Sequence, residues 1–282
     1  MTSYGGNVTS ASFYGCRVFI RDDDALPAVP AGTAVGTSWP GVKAHKARAL
    51  TLTPAEPMRL QARGDGRTYA TFVEPPTDTP SGELRTQAAD IDLIELMTSV
   101  KDFGCNYRHM VPLASDKVGQ ESQVIIYAWR KAKDSDPNSD TYLQDMWETR
   151  IVLNANAAFQ PDPMETDQLS EPRWSLVANS SSVDQYGQTM TEETHGCTEA
   201  SFIMITSRYK IAYDVFLGNN SETEFTLSNG SATVNDDANN PVLAYVDGEL
   251  TSVTCDANGV VKFASPPADG AKIVIESAHT AS

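Results

Sequence analysis

Glu148-Thr149-Arg150-Ile151-Val152-Leu153-Asn154-Ala155-Asn156-Ala157 is the stretch whose reading decides the fold. Ile151, Leu153 and Ala155 share one phase of a period of two, while Glu148, Arg150, Asn154 and Asn156 dominate the other. Successive side chains of a strand point to opposite faces, so this period predicts a β-strand with one face on a core and the other toward water.

Working outward, most other apolar runs are short, rich in Val, Ile, Tyr, Phe and Thr, and bounded by Gly, Pro, Asn or Asp, which predicts further strands joined by turns. They are Phe13 to Ile20, Ala47 to Leu52, Thr68 to Val73, Val124 to Trp129, Trp174 to Ala178, Phe202 to Thr206 and Lys210 to Leu217. Gly64-Asp65-Gly66 predicts a tight turn between Met58 to Ala62 and the strand at Thr68, and this reading outweighs the integrin-type tripeptide Arg63-Gly64-Asp65. Asp90 to Val100 departs from the pattern: Ile91, Ile94 and Met97, with Leu93, Leu96 and Val100, recur at helical spacing, with Asp90 placed as an N-cap. One amphipathic helix packed on a sheet is expected. Two long polar stretches, Asp22 to Pro40 and Lys131 to Asp145, are expected to be loops that a neighbouring chain orders.

From Asn219 the texture changes. Three turn signals, Asp247-Gly248, Asn258-Gly259 and Asp269-Gly270, separate Val242 to Val246, Leu250 to Thr254, Val260 to Ala264 and Lys272 to Ile275, and predict a meander. With 282 residues the chain is long enough for two domains, expected at 1–218 and 219–282.

Lys and Arg total 21 against 37 Asp and Glu, a net charge of −16, which repels nucleic acid and anionic lipid. Cys16, Cys105, Cys197 and Cys255 show no metal-site or disulfide spacing and read as reduced side chains of a cytoplasmically made protein. Met1 to Ser12 lacks the features of a secretory signal, and no apolar run approaches the roughly 20 residues of a membrane helix.

The chain carries no G-x-S-x-G nucleophile elbow, P-loop or dinucleotide fingerprint. His195-Gly196-Cys197 places an imidazole beside a thiol, but adjacent residues seldom act on each other, and a polar loop leading to Phe202 is the simpler reading. Asp134, Asp136, Asn138 and Asp140 alternate like calcium ligands, yet Ser139 stands where the turn glycine belongs, so a solvated hairpin tip is expected. Asp22-Asp23-Asp24 reads as a charged loop, and Asp90, Asp92 and Glu95 as complements of the helix dipole. No catalytic residue, metal or cofactor is expected, and the chain does not read as an enzyme.

The run Arg63-Gly64-Asp65-Gly66-Arg67-Thr68-Tyr69-Ala70-Thr71-Phe72, then Ser81-Gly82-Glu83-Leu84, then Asp90-Ile91-Asp92-Leu93-Ile94-Glu95-Leu96-Met97, resembles the opening half of the major tail tube proteins of long-tailed bacteriophages. The strands at 148–157 and 202–217 are similar to the second half of that fold. The segment from Ser221 to Ile275, with Val246-Asp247-Gly248 and Phe263 before Pro266-Pro267-Ala268-Asp269-Gly270-Ala271, resembles a small Ig-like β-module common in phage structural proteins.

The resemblance implies a tail-tube-type β-sandwich or barrel with one packed helix, followed by a small antiparallel module. It implies a virion protein, made in the host cytoplasm, whose six copies form rings that stack into the tail tube through which DNA passes. Partners implied are other copies of the chain, a tape measure protein, a tail terminator and a distal tail protein, with transient non-specific passage of DNA and no membrane. Glu148, Asn154 and Asn156 are then candidates to face the lumen. Asp22, Asp134, Asp136, Tyr142 and Trp147 are candidates for subunit or ring contacts, with Trp147 equally suited to its own core. Two other classes remain: a distal tail, baseplate or head-decoration protein, and a β-sandwich ligand-binding module.

Overall fold

The computed structural model describes residues 8–22, 24–44, 47–53, 58–64, 67–74, 79–86, 91–98, 123–135, 137–138, 142–160, 172–233 and 242–279. Among them the chain is mainly β, in several antiparallel sheets. The largest sheet runs β2 (Val42–Lys43), β1 (Val8–Ile20), β7 (Gln123–Asp134), β8 (Asp145–Gln160), β9 (Arg173–Ala178), β6 (Ser81–Thr86), β3 (Ala47–Thr53), with β10 (Phe202–Ser207) also paired to β8. β4 (Met58–Gly64) and β5 (Arg67–Glu74) form a separate two-stranded sheet around the expected turn, whose residues 65 and 66 lie outside the described residues.

The large sheet is apolar on both faces. On β7, Val124, Ile126 and Ala128 enter one core with Cys16, Val18, Leu84, Trp174 and Leu176. Ile125, Tyr127 and Trp129 enter a second, with Phe19, Trp147, Tyr213 and Val215. A strand apolar in both phases must be covered on both sides. The first side is covered by helix α1 (Ile91–Thr98), which buries Leu93, Ile94 and Met97. Each such side chain removed from water contributes about 2 kcal/mol. The expected helix is therefore present; Asp90 lies outside the described residues.

The one-sided reading of β8 is corrected. Val152 points into the first core while Ile151 and Leu153 point into the second, and Glu148 and Asn154 of the supposed wet phase are buried. Ala155 leaves the phase of Leu153 for the first core because the register shifts from Ile126↔Val152 to Val124↔Ala155, three β8 residues spanning two of β7. This bulge is where β8 changes partner on its other edge, from β10 (147–152) to β9 (155–160). At the change, Leu153 N donates to Ser201 O and Asn154 O accepts from Asn179 N.

A second sheet, β11 (Lys210–Leu217), β17 (Lys272–His279), β13 (Leu243–Val246) and β14 (Glu249–Thr251), covers the other face of the first. Its far side packs Phe216, Ile273 and Ile275 against Phe225, Val261 and Phe263 of a third sheet, β12 (Glu224–Thr226), β16 (Val260–Phe263) and β15 (Val253–Cys255). The expected meander is thus corrected to a small sandwich. Leu250 to Thr254 splits into strands of different sheets, and β17 leaves β16 to pair with β13 and β11. Its two apolar phases, Val274 and Ala278 against Ile273 and Ile275, can both be buried only between two layers. β11 and β17 pair from Lys210↔His279 to Leu217↔Lys272, so one sheet spans the boundary expected between 218 and 219.

Parts of both long polar stretches are strand or packed segment and not the loops expected. Lys131 to Asp134 continue β7 and Asp145 begins β8, where a loop was expected. The Asp22 to Pro40 segment lies on its own chain: Leu26 is buried, and Trp39 exchanges backbone hydrogen bonds with Val215. A short helix, α2 (Glu192–His195), replaces the expected loop at His195; Thr191 caps it by accepting from Thr194 N, and Gly196 ends it at φ 72°.

Candidate assembly surface

At the hairpin end of the large sheet, β7, β8 and β10 present one face beyond the first core. Glu148 is buried there between two arginines: Arg130 donates to its Oε2, and Arg150 Nε donates to Oε1 at 2.6 Å. Antiparallel pairing makes this geometry, since Arg130 lies directly across from Glu148 and Arg150 is two residues on, in the same phase. The candidate lumen residues do not form an open polar surface in the single chain. Glu148 and Asn154 are buried, and half-buried Asn156 accepts from Nδ2 of Asn179 at 2.8 Å.

Across β8 from Arg150 stands Met204 of β10, 57% exposed, with Phe202 in the same phase and also exposed. The opposite phase of β10, Ile203 and Ile205, packs on the second core. Among the described residues β10 pairs with β8 alone, so its outer edge carries unpaired backbone groups next to apolar side chains. No sequence reading singled out these two residues. Their signal was an apolar run, Phe202-Ile203-Met204-Ile205, apolar in both phases.

The candidate contact residues scatter. Trp147 sits in the second core, edge-on to Tyr14 with ring centroids 4.8 Å apart. Tyr142 is exposed at the hairpin tip beside Leu143, which is exposed at φ 60°, a left-handed conformation costly for a branched side chain. Asp134 is buried at the end of β7, Asp22 accepts from Lys272 Nζ at 2.6 Å, and Asp136 lies outside the described residues, as does Asp140 of the calcium pattern.

A buried polar cluster lies between the first two sheets. Glu276 of β17 accepts through Oε2 from the hydroxyls of Tyr186 and Tyr213. Burial pushes its carboxyl above the usual range, which the two phenols only partly offset. Burial and then the charge of Glu276 push both tyrosines upward as well. Tyr186 stacks on Tyr245, centroids 3.9 Å apart, and Asp184 anchors the loop by accepting from Tyr186 N and Gln188 N and meeting His195 Nε2 at 3.2 Å. Sequence reasoning missed this cluster; a lone acid in Ile273-Val274-Ile275-Glu276-Ser277 was its signal.

No protein-family model matches the chain, and no curated protein is significantly similar to it. No helix among the described residues is long and apolar enough to cross a membrane.

Proposed function

We propose that the chain is a self-assembling structural protein of the major tail tube class of long-tailed bacteriophages, six copies closing a ring and rings stacking into a tube for DNA. The observation that carries this reading is β10: a strand that among the described residues pairs with β8 alone and exposes Phe202 and Met204 beside Arg150. Open strand edges with apolar side chains template pairing with another chain, and cyclic closure is the arrangement that leaves no edge over. The mainly-β architecture with a helix on one face of the sheet fits the same class. A net charge of −16 suits a channel past which DNA slides without adhering. In this reading the virion tail is the site of action, and the tape measure, terminator and distal tail proteins are the partners.

Negative-stain electron microscopy of the concentrated protein tests it, with sedimentation velocity alongside. Six-fold rings or hollow tubes are expected for the native chain, and loss of both in Met204→Lys with an unchanged circular dichroism spectrum. A native chain that stays monomeric at every concentration overturns the reading.

A further inference from the structure

Residues distant in sequence converge on a recess at the opposite face of the large sheet from the Glu148 cluster. Arg17 of β1, Lys43 of β2, Lys210 of β11 and Asn229, in the turn after β12, line a cavity of about 570 Å3 walled by Tyr14 and Trp129.

Its charge runs against that of the protein. The chain as a whole is at −16, yet three cations meet here. Neither Lys43 nor Lys210 has an ion pair among the described residues. Lys210 Nζ lies over the Trp129 ring, 4.4 Å from its centroid, and 5.0 Å from that of Tyr14. The buried carboxylate of Asp214 acts electrostatically on Arg17; its Oδ1 accepts from Ser38 Oγ and Ser228 N, and its Oδ2 has no donor among the described residues. The side-chain amide nitrogen of Asn229 is buried with no acceptor among the described residues. Arg17 donates one bond to Pro40 O, leaving further guanidinium hydrogens.

Gathering like charges away from water costs free energy, and an anion between them offsets that cost. Arg17, Lys43, Lys210 and the Asn229 amide nitrogen all offer donors, so a matching ligand is rich in acceptor oxygens and multiply negative. The geometry points to a binding site for a phosphate-class oxyanion in this recess, held by Arg17, Lys43, Lys210 and Asn229. The site does not depend on the tail tube reading. Two sources share this chemistry, free phosphate and the phosphate of a nucleotide.

Binding should weaken as pH rises past 8. Burial, and then the charges of Arg17 and Lys43, lower the Lys210 ammonium to about 8, so its charge is lost there. Around it stand Arg17 with the Asp214 carboxylate that acts on it, Lys43, His279 from the paired strand, the Tyr14 and Trp129 rings, and Lys131, whose Nζ lies over the same Tyr14 ring at 5.6 Å.

Isothermal titration of the full chain with inorganic phosphate, with adenosine monophosphate, and with chloride at matched ionic strength tests the site. Saturable binding of one phosphate group per chain is expected, at least tenfold weaker in Lys43→Gln and in Lys210→Gln. Thermal midpoints of the two variants without phosphate should stay at or above that of the native chain. Tighter binding of either phosphate compound supports the site and assigns the source. Absence of saturation up to about 10 mM, or equal binding by the variants, overturns it. So does loss of self-association in the variants when the native chain binds no phosphate, since the recess then receives an acidic segment of another copy.

Discussion

Tyr213 and Glu276 meet between the two large sheets, the phenol donating to Oε2 of the carboxylate across 2.8 Å with both residues buried. One comes from β11 and the other from the last strand, so the bond ties the two ends of the shared sheet's sequence together.

The folded-state pKa of Glu276 is raised above its unfolded value, chiefly by burial. A carboxyl shifted in that direction contributes stability that is complete below the unfolded pKa, near 4.3, and is lost as pH rises through the folded pKa. Urea unfolding of the native chain should therefore show this contribution falling with pH above that point. Glu276→Gln should flatten that part of the profile, because an amide does not titrate. An unchanged profile in the variant would assign the slope to other groups, Asp214 first, whose carboxyl burial also raises.

Removal of residues 219–282 is expected to unfold more than a decoration. β17 covers β11 along its whole length, and its loss uncovers the layer that contains Ile211, Tyr213 and Val215. At about 2 kcal/mol for each uncovered large apolar side chain, the cost rivals the 5–15 kcal/mol net stability of a typical protein. Dye binding and limited proteolysis should report a loosened product; a truncated chain as compact and protease-resistant as the parent would contradict the shared sheet.

Glu148→Ala leaves Arg130 and Arg150 facing each other without the buried carboxylate between them. Both arginines are about one-third exposed, so water screens part of the loss. A destabilisation of about 2 kcal/mol is expected, below the 3–5 typical of a fully buried pair. Denaturant midpoints at low and high salt measure it, and the native chain should approach the variant as salt rises.

Gly82→Ala should disrupt the pairing of β6 with β3. A methyl at that position meets the backbone oxygen of Thr51 at 2.0 Å, which no side-chain adjustment relieves. A cost of at least 1–3 kcal/mol is expected, with hydrogen exchange accelerated first at Thr51 and Leu52.

Several elements were legible in the sequence because their causes are local. The helical spacing of Leu93, Ile94 and Met97 marks α1, and Lys210 to Leu217 reads as a strand with the bounds found. Asp247-Gly248 takes the paired positive φ of a tight hairpin, 48° and 83°, as those two residue types favour. The candidate contact residues were less legible. Trp147 and Tyr142 look alike as aromatic residues near a polar loop, yet one fills a core and the other a hairpin tip.

By itself the sequence determined that this is an acidic β-protein with a sheet-packed helix and with hairpins at Asp247-Gly248 and Asn258-Gly259. Tertiary structure alone decided that β17 would choose β11 over β16, that a bulge after Leu153 would turn Ala155 to the other core, and that Arg17, Lys43 and Lys210 would share one recess. The physical reason is range. Period and turn chemistry act over a few residues, whereas strand partners are selected by burying both faces of each sheet at once, a condition satisfied only by the assembled layers.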